Sequence, residues 1–247
     1  MTRHTKLMFA FVAMLALAST SCAKLQARDN LNKGVRAFRD AHYENAVDYF
    51  KEAIRLDPEL TNAELYLATA YAQQFIPGAG SEENQKYADL AIETFERVLS
   101  RDANNVTAIG GLASIYQNTN QFQKAREFYL RNASLEPTNP VPFYAVGSVD
   151  WIMVFNKNNP PPPEEQAQLI EEGLSNLDKA LSLNPNYEDA MTYKNLLYRE
   201  KARLATDEAE KTQLIAQADE WFNKALETRK ANAAKAAGPG GITLGEK

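Results

Sequence analysis

The sequence predicts an all-α solenoid of about five antiparallel helix pairs, some with expanded loops. Three observations predict it. A string of small, large and small residues at helical spacing recurs along the chain. In several copies a proline follows at the same interval. The copies are spaced as stacked units would be, because a solenoid grows by adding units rather than by enlarging one core.

The copies are Ala46-x3-Phe50-x2-Ala53-x4-Pro58, Ala91-x3-Phe95-x2-Val98-x4-Ala103, Ala125-x3-Tyr129-x2-Asn132-x4-Pro137, Gly173-x3-Leu177-x2-Ala180-x4-Pro185 and Ala218-x3-Phe222-x2-Ala225. Residues three or four apart share one helix face. The small ones admit a neighbouring helix and the large one fills the gap between turns. A proline just beyond the pattern stops the helix. Leu56-Asp57-Pro58, Leu135-Glu136-Pro137 and Leu183-Asn184-Pro185 are that stop written three times. Each helix has a partner upstream. Leu67-Ala68-x2-Tyr71 and Leu112-Ala113-x2-Tyr116 share one pattern. Val146-Gly147-x2-Asp150 keeps the small residue and loses the aromatic, Lys33-Gly34-x2-Ala37 is weaker, and Lys194-Asn195-x2-Tyr198 puts an amide at the small position.

Together these strings resemble tetratricopeptide (TPR) repeats, whose unit is typically ~34 residues. The resemblance runs from about residue 27 to 228, in units at about 27–60, 61–105, 106–139, 140–187 and 188–228. It implies a right-handed superhelix whose first helices line a concave groove that binds a protein or extended peptide. The exposed positions of those helices nominate Gln73, Ser114, Gln117, Asn118, Tyr144, Ser148, Trp151 and Arg199 as groove residues, flanked by Thr69 and Thr192. Amide side chains suit the backbone of an extended peptide. Tyr144 and Trp151 are residue types that anchor interfaces, although part of the apolar run Trp151–Phe155 must pack inward. Some TPR domains clamp a C-terminal carboxylate with Lys, Asn and Arg. Here Leu31, Val35, Leu65, Thr69, Gly110 and Ser114 stand at those places, so no such clamp is expected.

The insertions differ in kind. Phe75 to Ser81 contains Pro77-Gly78 and a second glycine, which make a loop with an apolar tip at Phe75 and Ile76. Pro160 to Pro163 form a stiff polyproline II spacer ahead of a helix beginning near Glu164. Both are candidate partner contacts. The fifth unit expands by helical turns, with a break near Ala205-Thr206-Asp207 and Asp207 as a cap. Residues 229–247 form a tail whose Ala-rich start extends the last helix, with Gly238-Pro239-Gly240-Gly241 ending it and the rest expected to be disordered.

Residues 1–21 read as an export signal. Arg3, His4 and Lys6 precede the apolar run Leu7–Ala18, which is shorter than the ~20 residues of a membrane-spanning helix. Two cleavage readings stand. Ser19-Thr20-Ser21-Cys22 resembles a bacterial lipobox, with Ser19 where leucine is favoured; cleavage there leaves a lipid on Cys22, a short linker at 22–26 and a membrane tether. Alternatively, an ordinary signal peptidase cuts after Ala18 or Ala23. The expected location is the bacterial envelope, as an outer-membrane or periplasmic lipoprotein ahead of a soluble periplasmic or secreted protein.

Composition excludes several function classes. A net charge of -5 does not suit a nucleic-acid surface. The single cysteine, Cys22, rules out an internal disulfide and a cysteine-rich zinc site. There is no HExxH, GxSxG, phosphate loop or Cys–His pair. Glu82-Glu83, Glu164-Glu165 and Glu171-Glu172 are assigned to helix starts or solvated faces. The expectation is a non-catalytic interaction scaffold without metal or cofactor, an envelope or secretion assembly adaptor. A periplasmic peptide or substrate binder and an inert structural spacer are the alternatives.

Overall fold

The computed structural model describes residues 22–157 and 159–237. Residues 1–21, read above as an export signal, and the end of the tail lie outside them. Ten helices occur among the described residues: α1 (22–39), α2 (Tyr43–Leu56), α3 (Thr61–Gln74), α4 (Glu82–Arg101), α5 (Val106–Asn118), α6 (Phe122–Leu135), α7 (Pro140–Phe155), α8 (Pro163–Leu183), α9 (Glu188–Leu204) and α10 (Glu208–Ala237). They fall into two compact units that meet in sequence at Thr119 and Asn120, α1 to α5 in the first and α6 to α10 in the second. Within each unit consecutive helices pack as antiparallel pairs. The first helices of successive pairs also touch, α3 with α5 and α7 with α9.

Packing follows the small-large-small register. A Cβ added to Gly34 would stand 2.4 Å from the ring of Phe50, and one added to Gly111 would stand 2.3 Å from that of Phe95. In the second unit Gly147 receives Leu177 in the same way, at 2.5 Å. Phe50, Phe95 and Leu177 are fully buried, with Ala46, Ala53, Ala91 and Ala180 beside them in the sequence pattern. Backbone of one helix thus approaches a large side chain of the next.

The helix stops are more uniform than the prolines. The capping N–H of Asp57, Asp102, Glu136 and Asn184 each donates to the carbonyl four residues back, at 2.9 Å in all four cases. The carbonyls of the same four residues accept from Leu60, Asn105, Asn139 and Tyr187 at 3.0–3.1 Å. Asp102 belongs to the copy that has Ala103 in place of proline. Its carboxylate accepts from the Asn104 N–H at 3.2 Å, as the Asn184 amide oxygen accepts from the Asn186 N–H at 3.2 Å in a copy that keeps its proline.

Three expectations are revised. Residues 22–26 are helical rather than a linker. Pro163 is the first helical residue of α8, leaving three prolines in the spacer. In the fifth copy Ala218 and Ala225 are buried but Phe222 is 54% exposed, because no helix follows α10 among the described residues to cover its ring.

Asn84 holds the first insertion in place. It is buried, and its amide accepts from the Ile76 N–H at 2.7 Å and donates to the Ile76 and Ala79 carbonyls at 2.9 and 2.8 Å. The Ser81 hydroxyl caps α4 by accepting from the Asn84 N–H. Ile76 is left 64% exposed at the loop tip.

Two substitutions test this geometry by chemical denaturation. Gly111→Ala drives a methyl into the Phe95 ring and lowers stability by about 1–3 kcal/mol. Ala41 sits between α1 and α2 at φ 58°, where a Cβ is strained; Ala41→Gly raises stability by about 0.5–1 kcal/mol.

Candidate functional site

The nominated groove residues divide between the two units. In the first, Gln73, Ser114 and Asn118 are exposed on α3 and α5, and Gln117 is half-buried. The Thr69 hydroxyl bonds its own helix at the Leu65 carbonyl, 2.8 Å away. This surface is polar and shallow.

In the second unit α7 and α9 present a row of rings. Tyr187, Tyr144, Tyr193, Trp151 and Phe155 follow one another with centroid separations of 4.9, 5.6, 5.6 and 4.9 Å. The first four are half-buried and Phe155 is 46% exposed. Helical spacing explains the row: positions 144, 148, 151 and 155 lie on one face of α7. Tyr193 enters from α9 between Tyr144 and Trp151. Burial pushes the Tyr144 and Tyr193 hydroxyls above the ordinary tyrosine range, and the neighbouring Asp189 carboxylate adds to it. All these hydroxyls therefore stay protonated as donors at neutral pH. Trp151 and Tyr144 serve both readings, packed against the core on one side and open on the other.

Two nominations change. Ser148 lies on the face of the ring row but is buried at 4%, and its hydroxyl donates to the Ala145 carbonyl at 2.8 Å. The bulky rings on either side close over it. Arg199 is exposed yet engaged, donating to Asp219 of α10 at 2.7 Å. It therefore ties the last helix pair together.

Beside Trp151 the surface is concave. A cavity of about 460 Å³ is lined by Asn120, Phe122, Trp151, Ile152, Phe155 and Asn156. A second, of about 560 Å³, shares Asn120, Phe122 and Asn156 and adds Met153, the spacer prolines Pro160–Pro162 and Glu165. The spacer is held by the buried Gln166, whose amide donates to the Pro161 carbonyl at 2.7 Å and accepts from Arg203 at 2.6 Å.

Sequence reading did not find the buried charges. Asp150 occupies the missing aromatic position of the fourth unit and is fully buried. It accepts from Arg126 of α6 at 2.5 Å, and Arg126 also bonds Glu172 of α8. Glu172 is therefore part of an ion triad rather than a purely solvated face. Gly173 makes the room: a Cβ there would stand 3.1 Å from that of Asp150. Asp150 beside a glycine where other copies carry alanine was the available signal. A similar exchange occurs at α9. Lys194 is buried against Asp178 and lies 3.8 Å from the Trp221 ring, and the Asn195 amide donates to the Ala218 carbonyl at 2.6 Å. In the first unit the buried Glu64 accepts from Arg101 at 3.0 Å.

Asp150 carries the site's strongest carboxylate shift. Burial raises its pKa to about 6 from 3.8, outweighing the attraction of Arg126. It is fully buried and lines neither of these cavities. Because its folded pKa is raised, its stabilising contribution is complete below about pH 4 and is lost as pH rises through about 6. The stability of Asp150→Asn minus that of the native chain therefore increases from pH 4 to 6.5 by on the order of 2 kcal/mol, then levels off. Urea titrations across that range measure it; a flat difference contradicts the assignment.

The antiparallel pairs, their common stop and their small-large-small register define a helical-repeat fold. Comparisons with known proteins specify it. Two tetratricopeptide repeat models match residues 31–60 and 108–141. A model of the plant-specific mitochondrial import receptor subunit TOM20 matches residues 161–236. The chain carries tetratricopeptide repeats and has a TPR-like fold, a fold of protein-binding and typically non-catalytic scaffolds. No relative is found among curated protein sequences. Among solved structures, MamA from Desulfovibrio magneticus RS-1 is 18% identical with a TM-score of 0.63, over 83% of this chain and 96% of that one. Another MamA crystal structure is 17% identical with a TM-score of 0.63, over 90% and 98%. YrrB, described as a TPR protein with an unusual peptide-binding site, is 15% identical with a TM-score of 0.57, over 81% and 90%. These likenesses concern the fold.

Proposed function

We propose that this chain is a non-catalytic scaffold of the bacterial cell envelope that holds an extended segment of a partner protein against the first helices of its repeats. The ring row from Tyr187 to Phe155 carries the reading. Large rings on the groove-side face, packed below and open above, supply contact area at low entropic cost. The polar face of α3 and α5, with Gln73, Ser114, Gln117 and Asn118, supports contact with a peptide backbone rather than with a particular sequence. The apolar leader followed by Cys22 supports export and a lipid tether. Cys22 is exposed at the start of α1. No helix among the described residues is long and apolar enough to cross a membrane.

Two measurements test it. Intact mass of the mature chain is expected to show a diacylglyceryl adduct on Cys22 that Cys22→Ser abolishes; an unmodified N-terminus elsewhere removes the tether. Affinity capture from envelope extract is expected to retain a protein that Trp151→Ala loses at unchanged helicity and melting temperature. An unchanged set of partners would falsify the groove reading.

A further inference from the structure

The ring row has a spacing, an exposed edge and a charge polarity, and each narrows the ligand. Tyr144 and Trp151 are seven residues apart on α7, so their rings sit about 10 Å apart along the helix. One turn of polyproline II advances about 9 Å. Prolines three residues apart in such a segment therefore meet the two anchors in register.

The rings touch one another, so a ligand lies along the outer edge of the row rather than between them. Tyr193 stands at 68° to Tyr144 and at 70° to Trp151. Phe155 stacks on Trp151 at 15°. A sugar needs a broad uncovered ring face to lie on, whereas the narrow pyrrolidine rings of a proline segment pack along ring edges. The chain already places such a segment at a neighbouring cavity. Its own Pro160–Pro162 line the cavity that shares Phe122 and Asn156 with the one beside Trp151, and Pro162 has φ -55° and ψ 151°, in the polyproline II region.

The ends of the row differ in charge. At the tyrosine end the exposed Asp189 is close enough to Tyr144, Tyr187 and Tyr193 to raise their pKa values. At the other end Lys157 lies over the Phe155 ring, 5.4 Å from its centroid. A ligand with a cation ahead of its prolines and an anion after them matches this polarity.

We propose that the ring row of the second unit is a docking site for a polyproline II segment of a partner protein, with a basic residue preceding its prolines at the Asp189 end and an acidic residue following them at the Lys157 end. This rests on the peptide-binding reading above and adds the conformation, polarity and direction of the ligand. The Trp151 indole N–H and the tyrosine hydroxyls donate to proline carbonyls, which lack competing N–H groups of their own.

The test uses fluorescence anisotropy with the full mature chain and a labelled peptide of two lysines, a run of prolines and one aspartate. Controls are the same peptide with glycine and serine replacing the prolines, the peptide with its charged ends exchanged, and a labelled chito-oligosaccharide. The proline peptide is expected to bind at least tenfold more tightly than the glycine-serine peptide, and more tightly than the exchanged one. Trp151→Ala is expected to weaken it tenfold or more. Asp189→Asn is expected to weaken it about threefold at low salt and not at high salt, where the charge is screened. Equal binding of the proline and glycine-serine peptides, preference for the saccharide, or indifference to Trp151→Ala overturns the proposal. Adding the proline peptide to the affinity capture separates the two levels. A partner lost with Trp151→Ala but not displaced by the peptide leaves the groove reading standing and removes the polyproline one. No partner sensitive to Trp151 removes the groove reading itself.

Discussion

Neighbouring helices in this fold approach most closely where a large side chain of one is seated over a glycine of the other. Phe50 over Gly34, Phe95 over Gly111 and Leu177 over Gly147 are three instances. The glycine sets how closely the helices approach, and the large side chain fixes their register along the axis. Everything else must be compatible with that approach. The uniform helix stops follow from it, because each second helix has to end at the same height for the chain to start the next pair.

The second unit departs from the rule at Asp150 and keeps its packing by compensating. A carboxylate replaces the aromatic, Gly173 yields the space, and Arg126 supplies a charge from α6. A buried pair of this kind links α6, α7 and α8 by direction-dependent bonds where a ring would slide, though burial works against the ionised state. The α9–α10 pair uses the same strategy, with Lys194 on Trp221 and Asn195 on the Ala218 carbonyl. Polar contacts of defined geometry thus hold the pairs whose small-large-small pattern is least regular. With those contacts made on the side facing the partner helices, the other side of α7 and α9 is left to the ring row.

Much of the fold was legible because its period is written in residue size. The five strings locate α2, α4, α6, α8 and α10, and their upstream partners locate the other helices. Trp151 and Tyr144 were legible as residues of the ring-row face from position alone. Tyr187 and Tyr193 were not, because they join the row only once α9 lies against α7, whereas Phe155 follows Trp151 by one turn of α7 itself. Ser148 shared their face in the pattern but is shorter than its neighbours, which cover it.

By itself the sequence determined the helical repeat, its pair boundaries and the stops between units, because these depend on local spacing and on packing that every unit repeats. It also determined that the chain lacks the residue sets of common catalytic and metal sites. The tertiary structure decided which side chains meet across units of the repeat: the Arg126–Asp150–Glu172 triad and the ring row. Those contacts join residues up to 49 positions apart (Tyr144 and Tyr193). Their meeting depends on how closely neighbouring helices approach and how they are rotated, and helical periodicity carries neither quantity.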